Sequence, residues 1–210
     1  MRIYKHNDFE TLSSHKSNHM TLIYNLKNMS ETFIYLEKNI IGNRLFFVTQ
    51  SRILEFSVNT SDYMHMCGVK YKGQRNRFAY GLEQNKLNLK KLLVHCDGTT
   101  DAKIQVIGLL PKLFTTDTEL SPGVSKSTYK SDARIQSRRK ILGLDLKLLS
   151  SGLYVPLSVR NLHSDSTYHH GEKICCVLKK GLENHLVSIL DSVLDKNQEE
   201  IIKSQILSGL

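Results

Sequence analysis

The chain has 210 residues, 40% apolar and 23% charged, a composition that excludes a disordered polymer and suits one domain with its own core. No apolar run is long enough for a membrane helix, and Cys67, Cys96, Cys175 and Cys176 form no CxxC pair, so the expectation is a cytoplasmic thiol protein, not a disulfide-stapled secreted one. Lys and Arg number 29 against 20 Asp and Glu, and a net charge of +9 calls for an anionic partner, most simply nucleic acid.

In chain order, residues 1–16 are polar and aperiodic and read as a loose arm. Residues 17–41 carry Met20, Ile23, Tyr24, Phe33, Ile34, Leu36 and Ile40 at roughly helical spacing, one or two helices with a restart at Ser30, stopped by Gly42-Asn43. The runs LFFV (45–48), ILEFSV (53–58) and YMHM (63–66) are aromatic and β-branched and predict two or three antiparallel strands ending at Cys67-Gly68. A basic loop from Gly73 precedes a short helix at Phe78–Leu82 that continues brokenly to Leu93. Asp97-Gly98-Thr99 opens another helix, with Asp101 in a first turn that favours negative charge. Residues 115–124 read as a loop, and KILGLDLKLL (140–149) alternates as a strand, with 153–155 and 174–178 as further strands. Residues 182–207 place Leu182, Leu186, Ile189, Leu190, Val193, Leu194, Ile201, Ile202 and Ile206 on one helical stripe. The sum is an α+β fold: N-terminal helices on a mainly antiparallel, about four-stranded sheet in a single domain (1–180), followed by an amphipathic C-terminal helix (181–210).

The positive charge is concentrated. Residues 64–95 carry +6 and residues 126–180 carry +7, while 1–63, 96–125 and 181–210 carry +1, −2 and −3. If the two basic stretches meet, they form a face that neutralises several phosphates; apart, they solvate separate surfaces.

The sequence contains no Walker A loop, GxGxxG or HExxH, and few carboxylates accompany the basic stretches. His163, His169, His170, Cys175 and Cys176 lie close together, but neighbouring thiols on a strand face opposite ways, so no metal site and no cofactor is expected. Metal-free RNA cleavage needs proton-transfer groups and cations only, and the basic stretches are rich in both. His65 is the leading base or acid, with a core histidine between Met64 and Met66 as the plainer reading. Lys70 and Lys72 project to one side of an extended segment, where they serve either phosphate or edge protection. Arg160 and His163 follow a predicted strand as a phosphate-and-proton pair. Arg75, Arg77, Arg138, Arg139 and Lys140 join Lys70 as candidate backbone contacts. Tyr71 and Tyr154 could stack bases or fill the core, and His95-Cys96-Asp97 is too compact for a nucleophile set.

The order of segments has a family look: FIYLEKNIIG, then LFFVTQSRILEFSVNTSDYMHMCGVKYKG with its His-x-x-Gly (His65, Gly68), then DGTTDAKIQVIGLLPKLF, KILGLDLKL and YVPLSVRNL. Over roughly residues 30–180 it resembles the phage- and mobile-element-borne nuclease-like families of the barnase–EndoU–colicin–RelE superfamily. The resemblance implies a metal-independent endoribonuclease fold, with helices on a four-stranded antiparallel sheet whose open face binds RNA. It carries His65 across directly; Lys72, Arg160 and His163 are placed by position and chemistry. It further implies a toxin or an anti-defence role against a host RNA, a CRISPR guide RNA for instance. The alternative is a non-catalytic anti-CRISPR type of inhibitor that binds a ribonucleoprotein through the same basic face. The helix at 182–207 lies outside the pattern and is a candidate homodimer surface. RNA or ribonucleoprotein is the expected partner, and no membrane.

Overall fold

The computed structural model describes residues 9–11, 19–126, 129–163 and 168–209. A short strand β1 (Phe9–Thr11) precedes α1 (His19–Asn39), which leads into the hairpin of β2 (Asn43–Val48) and β3 (Ile53–Ser57). Then come α2 (Thr60–Met66), β4 (Val69–Tyr71), α3 (Arg75–Glu83), β5 (Leu92–His95) and α4 (Thr99–Ile107). The rest is mostly strand: β6 (Thr118–Pro122), β7 (Ser125–Lys126), β8 (Tyr129–Lys130), β9 (Ala133–Ser137), β10 (Leu142–Leu148), β11 (Tyr154–Asn161), β12 (Glu172–Lys173), β13 (Cys176–Gly181) and β14 (Val187–Ser192). The helix α5 (Lys196–Ser208) closes the order.

The fold is α+β, but the expected four-stranded sheet is wrong. Nine strands pair in the order β12-β6-β9-β10-β11-β3-β2-β13-β14, and a separate sheet has the order β1-β5-β4. The extra strands lay in stretches without a clean alternation. The first of them, β6 and β9, bury consecutive residues on both faces and carry polar Ser121, Arg134 and Gln136 inward. In β14 the residues Val187 to Ser192 pair with β13 across a register shift. The apolar spacing there suits either period, and pairing to β13 decides it, so the terminal helix begins at Lys196 instead of residue 182. Residues 9–11 of the supposed loose arm pair with β5, whose first residues, Leu92 and Leu93, were expected to end a broken helix. The other arm residues lie outside the described ones.

Two further corrections concern helices. α1 runs unbroken through Ser30, whose hydroxyl donates to the Leu82 carbonyl at 2.6 Å and so is satisfied without ending the helix. Residues 63–66 belong to α2 and not to a strand. Its start is signalled by Asn59 and Asp62: the Asp62 carboxylate accepts the Asn59 N–H at 2.8 Å, and Tyr63 and Met66 bury one face three residues apart.

The main core lies between α1 and the sheet. Met29, Phe33 and Leu36 of α1, with Ile40 just after it, form one buried stripe and share a cluster with Phe47, Phe56, Ile104, Phe114 and Leu144. On β2 the side chains alternate, and Phe46 and Val48 face the other way, joining Cys176, Leu178 and Ile206 of α5 in a second cluster. The strand β11 meets β3 at Tyr154↔Phe56 alone, in parallel. Past that point β11 packs against α2 and α4. This parting of the sheet brings two helices and the charged end of β11 together. Among the described residues, no helix is long and apolar enough to cross a membrane.

Candidate active site

The strands β9, β10 and β11 carry a polar stripe on the face away from the main core. Direct partners across antiparallel strands share a face, so Arg134 lies with Asp145 and Arg160 with Gly143. Asp145 has a side chain with no exposed surface. Its two oxygens accept from Arg134 Nε at 2.5 Å and Arg160 Nε at 2.9 Å. Arg134 is buried too, whereas a third of the Arg160 side chain reaches solvent. A buried carboxylate between two guanidiniums holds Arg160 in place at the end of β11, and one cation of the three charges stays in excess there.

Against this end stands Lys103, in the middle of α4 and 7% exposed. The N-terminus of α4 is set by Gly98 at φ +79, with the Asp97 carboxylate accepting the Thr99 N–H at 2.9 Å. Its buried positions Thr100, Lys103, Ile104 and Ile107 form one stripe, so Lys103 occupies a place the helical period reserves for an apolar residue. Burial holds the Lys103 ammonium down to about 8, the neighbouring Arg160 pushes the same way, and Cys67, Asp145 and Asp97 pull it partly back. Lys103 Nζ donates to the His65 carbonyl at 3.4 Å. The thiol of Cys67 is pushed up to about 12 by burial, which removes it as a nucleophile near neutrality.

His65 lies on α2 with an exposed side chain, not in the core between the methionines as its plainer reading had it. The helix ends at Gly68, φ +69, where a Cβ would stand 2.7 Å from Lys103 Cδ. The Gly68 carbonyl also accepts from Thr100 Oγ1 at 2.5 Å. The His-x-x-Gly spacing therefore docks the end of α2 onto α4 above Lys103. Following Arg160, Asn161 Nδ2 donates to Gln105 Oε1 at 3.3 Å, and Asn161 Oδ1 accepts the His163 N–H at 3.2 Å, holding an exposed His163 beside the same helix.

The His65 carbonyl, the end of β11 with Arg160 and the turn with His163 thus each adjoin α4. The β9–β10 turn with Arg138, Arg139 and Lys140 joins them, because Leu142 pairs with Asn161 and the Leu162 N–H reaches the Ile141 carbonyl at 2.9 Å. Lys140 Nζ is 5.4 Å from the Tyr168 ring centroid, and Arg138 pairs with Asp117 at 3.4 Å. Lys70 stands over the Phe9 ring at 3.9 Å, and exposed Lys72 lies at the far end of β4 from Gly68, its N–H bonded to the Lys91 carbonyl at 2.8 Å. Arg77 is exposed on α3, and the side chain of Arg75 lies outside the described ones. Tyr71 packs against the core and on Phe78. Lys103, Asp145 and Gln105 escaped the reading of the sequence; a lysine inside an apolar helical stripe is the signal that marks the first. Among the described residues, no three His, Cys, Asp or Glu side chains converge.

A family model described as phage-Barnase-EndoU-ColicinE5/D-RelE like nuclease4 matches residues 28–203, and the chain belongs to this nuclease family. Neither the curated proteins nor the solved structures give a match.

Proposed function

We propose that this nuclease cuts RNA without a metal ion, by attack of a 2′-hydroxyl on its own phosphate held at Lys103 and Arg160. The observation that carries the reading is Lys103 itself, a buried ammonium with its affinity for protons reduced, beside a guanidinium that a buried carboxylate holds in place. Two fixed cations, Lys103 buried and Arg160 half-buried, match the charge that grows on the phosphorane. Arg160 carries charge at every accessible pH, and Lys103 either shares it or gives up a proton to a developing oxyanion.

The proton pair comes from the rim. His65, at the end of α2, takes the 2′-hydroxyl proton, and His163, on the turn after β11, protonates the departing 5′-oxygen. The new bond joins the 2′-oxygen to phosphorus and the bond to the 5′-oxygen breaks, leaving a 2′,3′-cyclic phosphate and a 5′-hydroxyl. Arg139 and Lys140 bind the flanking backbone.

The test is a structured RNA incubated in EDTA, with the product ends analysed. Cyclic phosphate ends are expected, with the rate reduced about 10²–10⁴-fold in His65→Ala. The DNA strand of the same sequence stays intact, because it lacks the attacking hydroxyl. Cleavage that requires added magnesium, or equal cutting of DNA, overturns the mechanism. Salt-sensitive RNA binding with no product at any time would make the chain a binder instead.

A further inference from the structure

The cleavage chemistry above uses only His65 of residues 64–95, a stretch that holds seven Lys and Arg against one carboxylate, Glu83. Several cations elsewhere find a carboxylate: Arg44 with Glu55, Arg52 with Glu172, Lys147 with Asp132 and Lys203 with Glu200. Among the described residues, Lys72, Arg77, Lys86, Lys90 and Lys91 form no ion pair. Lys91 is half-buried and the other four are exposed. Unpaired cations held on one short stretch repel one another, and a polyanion laid across them removes that cost.

The backbone gathers them. Tyr71 pairs with Leu92 in the small sheet, and the next N–H, that of Lys72, donates to the Lys91 carbonyl at 2.8 Å. Residues 72–91 therefore leave the sheet and return to it at one point, carrying α3 between. Side chains alternate along β4, so Lys72 takes the outward side with Lys70, while Val69 and Tyr71 pack on the core. Tyr80 follows Arg77 by three positions on α3, which makes the two surface neighbours, and it is 61% exposed. Lys72 lies four residues past Gly68, the glycine that meets Lys103, so at most about 14 Å of extended chain separates them. That is roughly four phosphates at the ~3.4 Å spacing of a stacked strand.

The chemistry selects the ligand. An RNA strand supplies a negative charge at every nucleotide for the cations and a base face for Tyr80. An anionic membrane fits less well, because it needs apolar side chains to insert beside the cations. Among the described residues of this stretch, Tyr80 is the only large apolar side chain that is exposed. We propose that Lys72, Arg77, Lys86, Lys90 and Lys91, with Tyr80, form a second RNA-binding surface, remote from the cut, that grips the backbone of a long strand. The surface sets a length rule: long RNA binds through it, and a short oligonucleotide held at Lys103 and Arg160 never reaches it. The proposal rests on RNA being the substrate, and binding to this surface is measurable without any cleavage.

The experiment is fluorescence anisotropy on the full chain with labelled 2′-O-methyl RNA, which has no free 2′-hydroxyl to attack, in lengths of about 4 and about 16 nucleotides. The long strand is expected to bind at least tenfold more tightly than the short one. Lys86→Glu/Lys90→Glu should weaken the long strand tenfold or more and flatten its plot of log Kd against log salt by about 1–2, leaving the short strand within about twofold. Tyr80→Ser should weaken the long strand about fivefold. Lys196→Glu, an exposed reversal on α5, should change either strand by less than about twofold. All these side chains are exposed, so thermal midpoints should hold; should Lys86→Glu/Lys90→Glu melt early, Lys86→Gln/Lys90→Gln removes the charges without reversing them and still weakens the long strand. Equal affinity for both lengths, equal losses for both in Lys86→Glu/Lys90→Glu, or a loss in Lys196→Glu as large as in Lys90→Glu overturns the surface. So does a variant that keeps the long strand but no longer binds vesicles of half phosphatidylserine, which would give the surface to lipid. Length-dependent binding that behaves as expected, without cleavage of ordinary RNA in EDTA, would overturn the cutting mechanism and leave this surface standing.

Discussion

At the β14 end of the large sheet, Phe46, Val48, Cys176 and Leu178 lie beneath Ile206 of α5, an apolar seal of ordinary kind. At the β11 end the buried groups are Arg134, Asp145 and Lys103. The same sheet thus spends its apolar burial on stability at one end and tolerates costly charges at the other. The geometric cause is the parting of β11 from β3 after Tyr154, which admits α2 and α4 and with them an ammonium and a histidine. On the proposed mechanism the charged end is kept for chemistry, and substitutions can separate the two ends.

The sharpest separation is at Lys103. Lys103→Met removes a buried charge and should abolish cleavage, by about 10³-fold or more, while raising stability by about 1–3 kcal/mol; steady-state kinetics and urea denaturation read the two effects. Asp145→Asn acts oppositely on stability. It leaves Arg134 buried without its ionic partner and should cost about 3–5 kcal/mol, seen as a lower urea midpoint. At the other end Ile206→Ala opens a cavity worth about 2–4 kcal/mol of stability, and cleavage measured well below the melting temperature should stay near wild type. Ile206→Ala losing activity as fully as Lys103→Met would erase the comparison.

Smaller in effect is Gly68→Ala. The new methyl meets Lys103 Cδ at 2.7 Å on a backbone at φ +69, so the lysine must shift; about 1–2 kcal/mol of stability and a tenfold loss of rate are expected. Smallest is the pH dependence of stability. Lys103 is held down to about 8 when folded and returns to an ordinary lysine value when unfolded, so between the two the unfolded chain binds more protons. Stability therefore rises with pH across that window, and calorimetry should find the rise lost in Lys103→Met.

Much of the charged end was legible in the sequence. The alternation of residues 140–149 marked β10 and the turn at Asp97-Gly98-Thr99 opened α4 where expected, whereas Arg160, expected after a strand, lies within β11. The meeting of the two basic stretches was legible only in part: Arg138–Lys140 adjoins Arg160, while Lys70 is drawn to Phe9 on β1. What stayed hidden depended on tertiary pairing. The α2 segment YMHM has β propensity, but the Asn59–Asp62 cap and the Tyr63–Met66 face make it helical. The strands β6, β9 and β14 lack a clean period because they bury polar groups or carry a register shift. Lys103 was hidden because a lysine in a helix ordinarily reads as surface, and only its neighbours Thr100, Ile104 and Ile107 reveal that this one points inward.

The most direct measurement is the pH profile of kcat/KM for RNA cleavage in EDTA. With Lys103 serving as a protonated group beside Arg160, the alkaline side of the profile should contain a fall near 8 as the ammonium is lost, added to the limbs of His65 and His163 and missing in Lys103→Met. A rate that stays level or climbs well beyond that pH would contradict a catalytic Lys103 and, with it, the account of the charged end of the sheet.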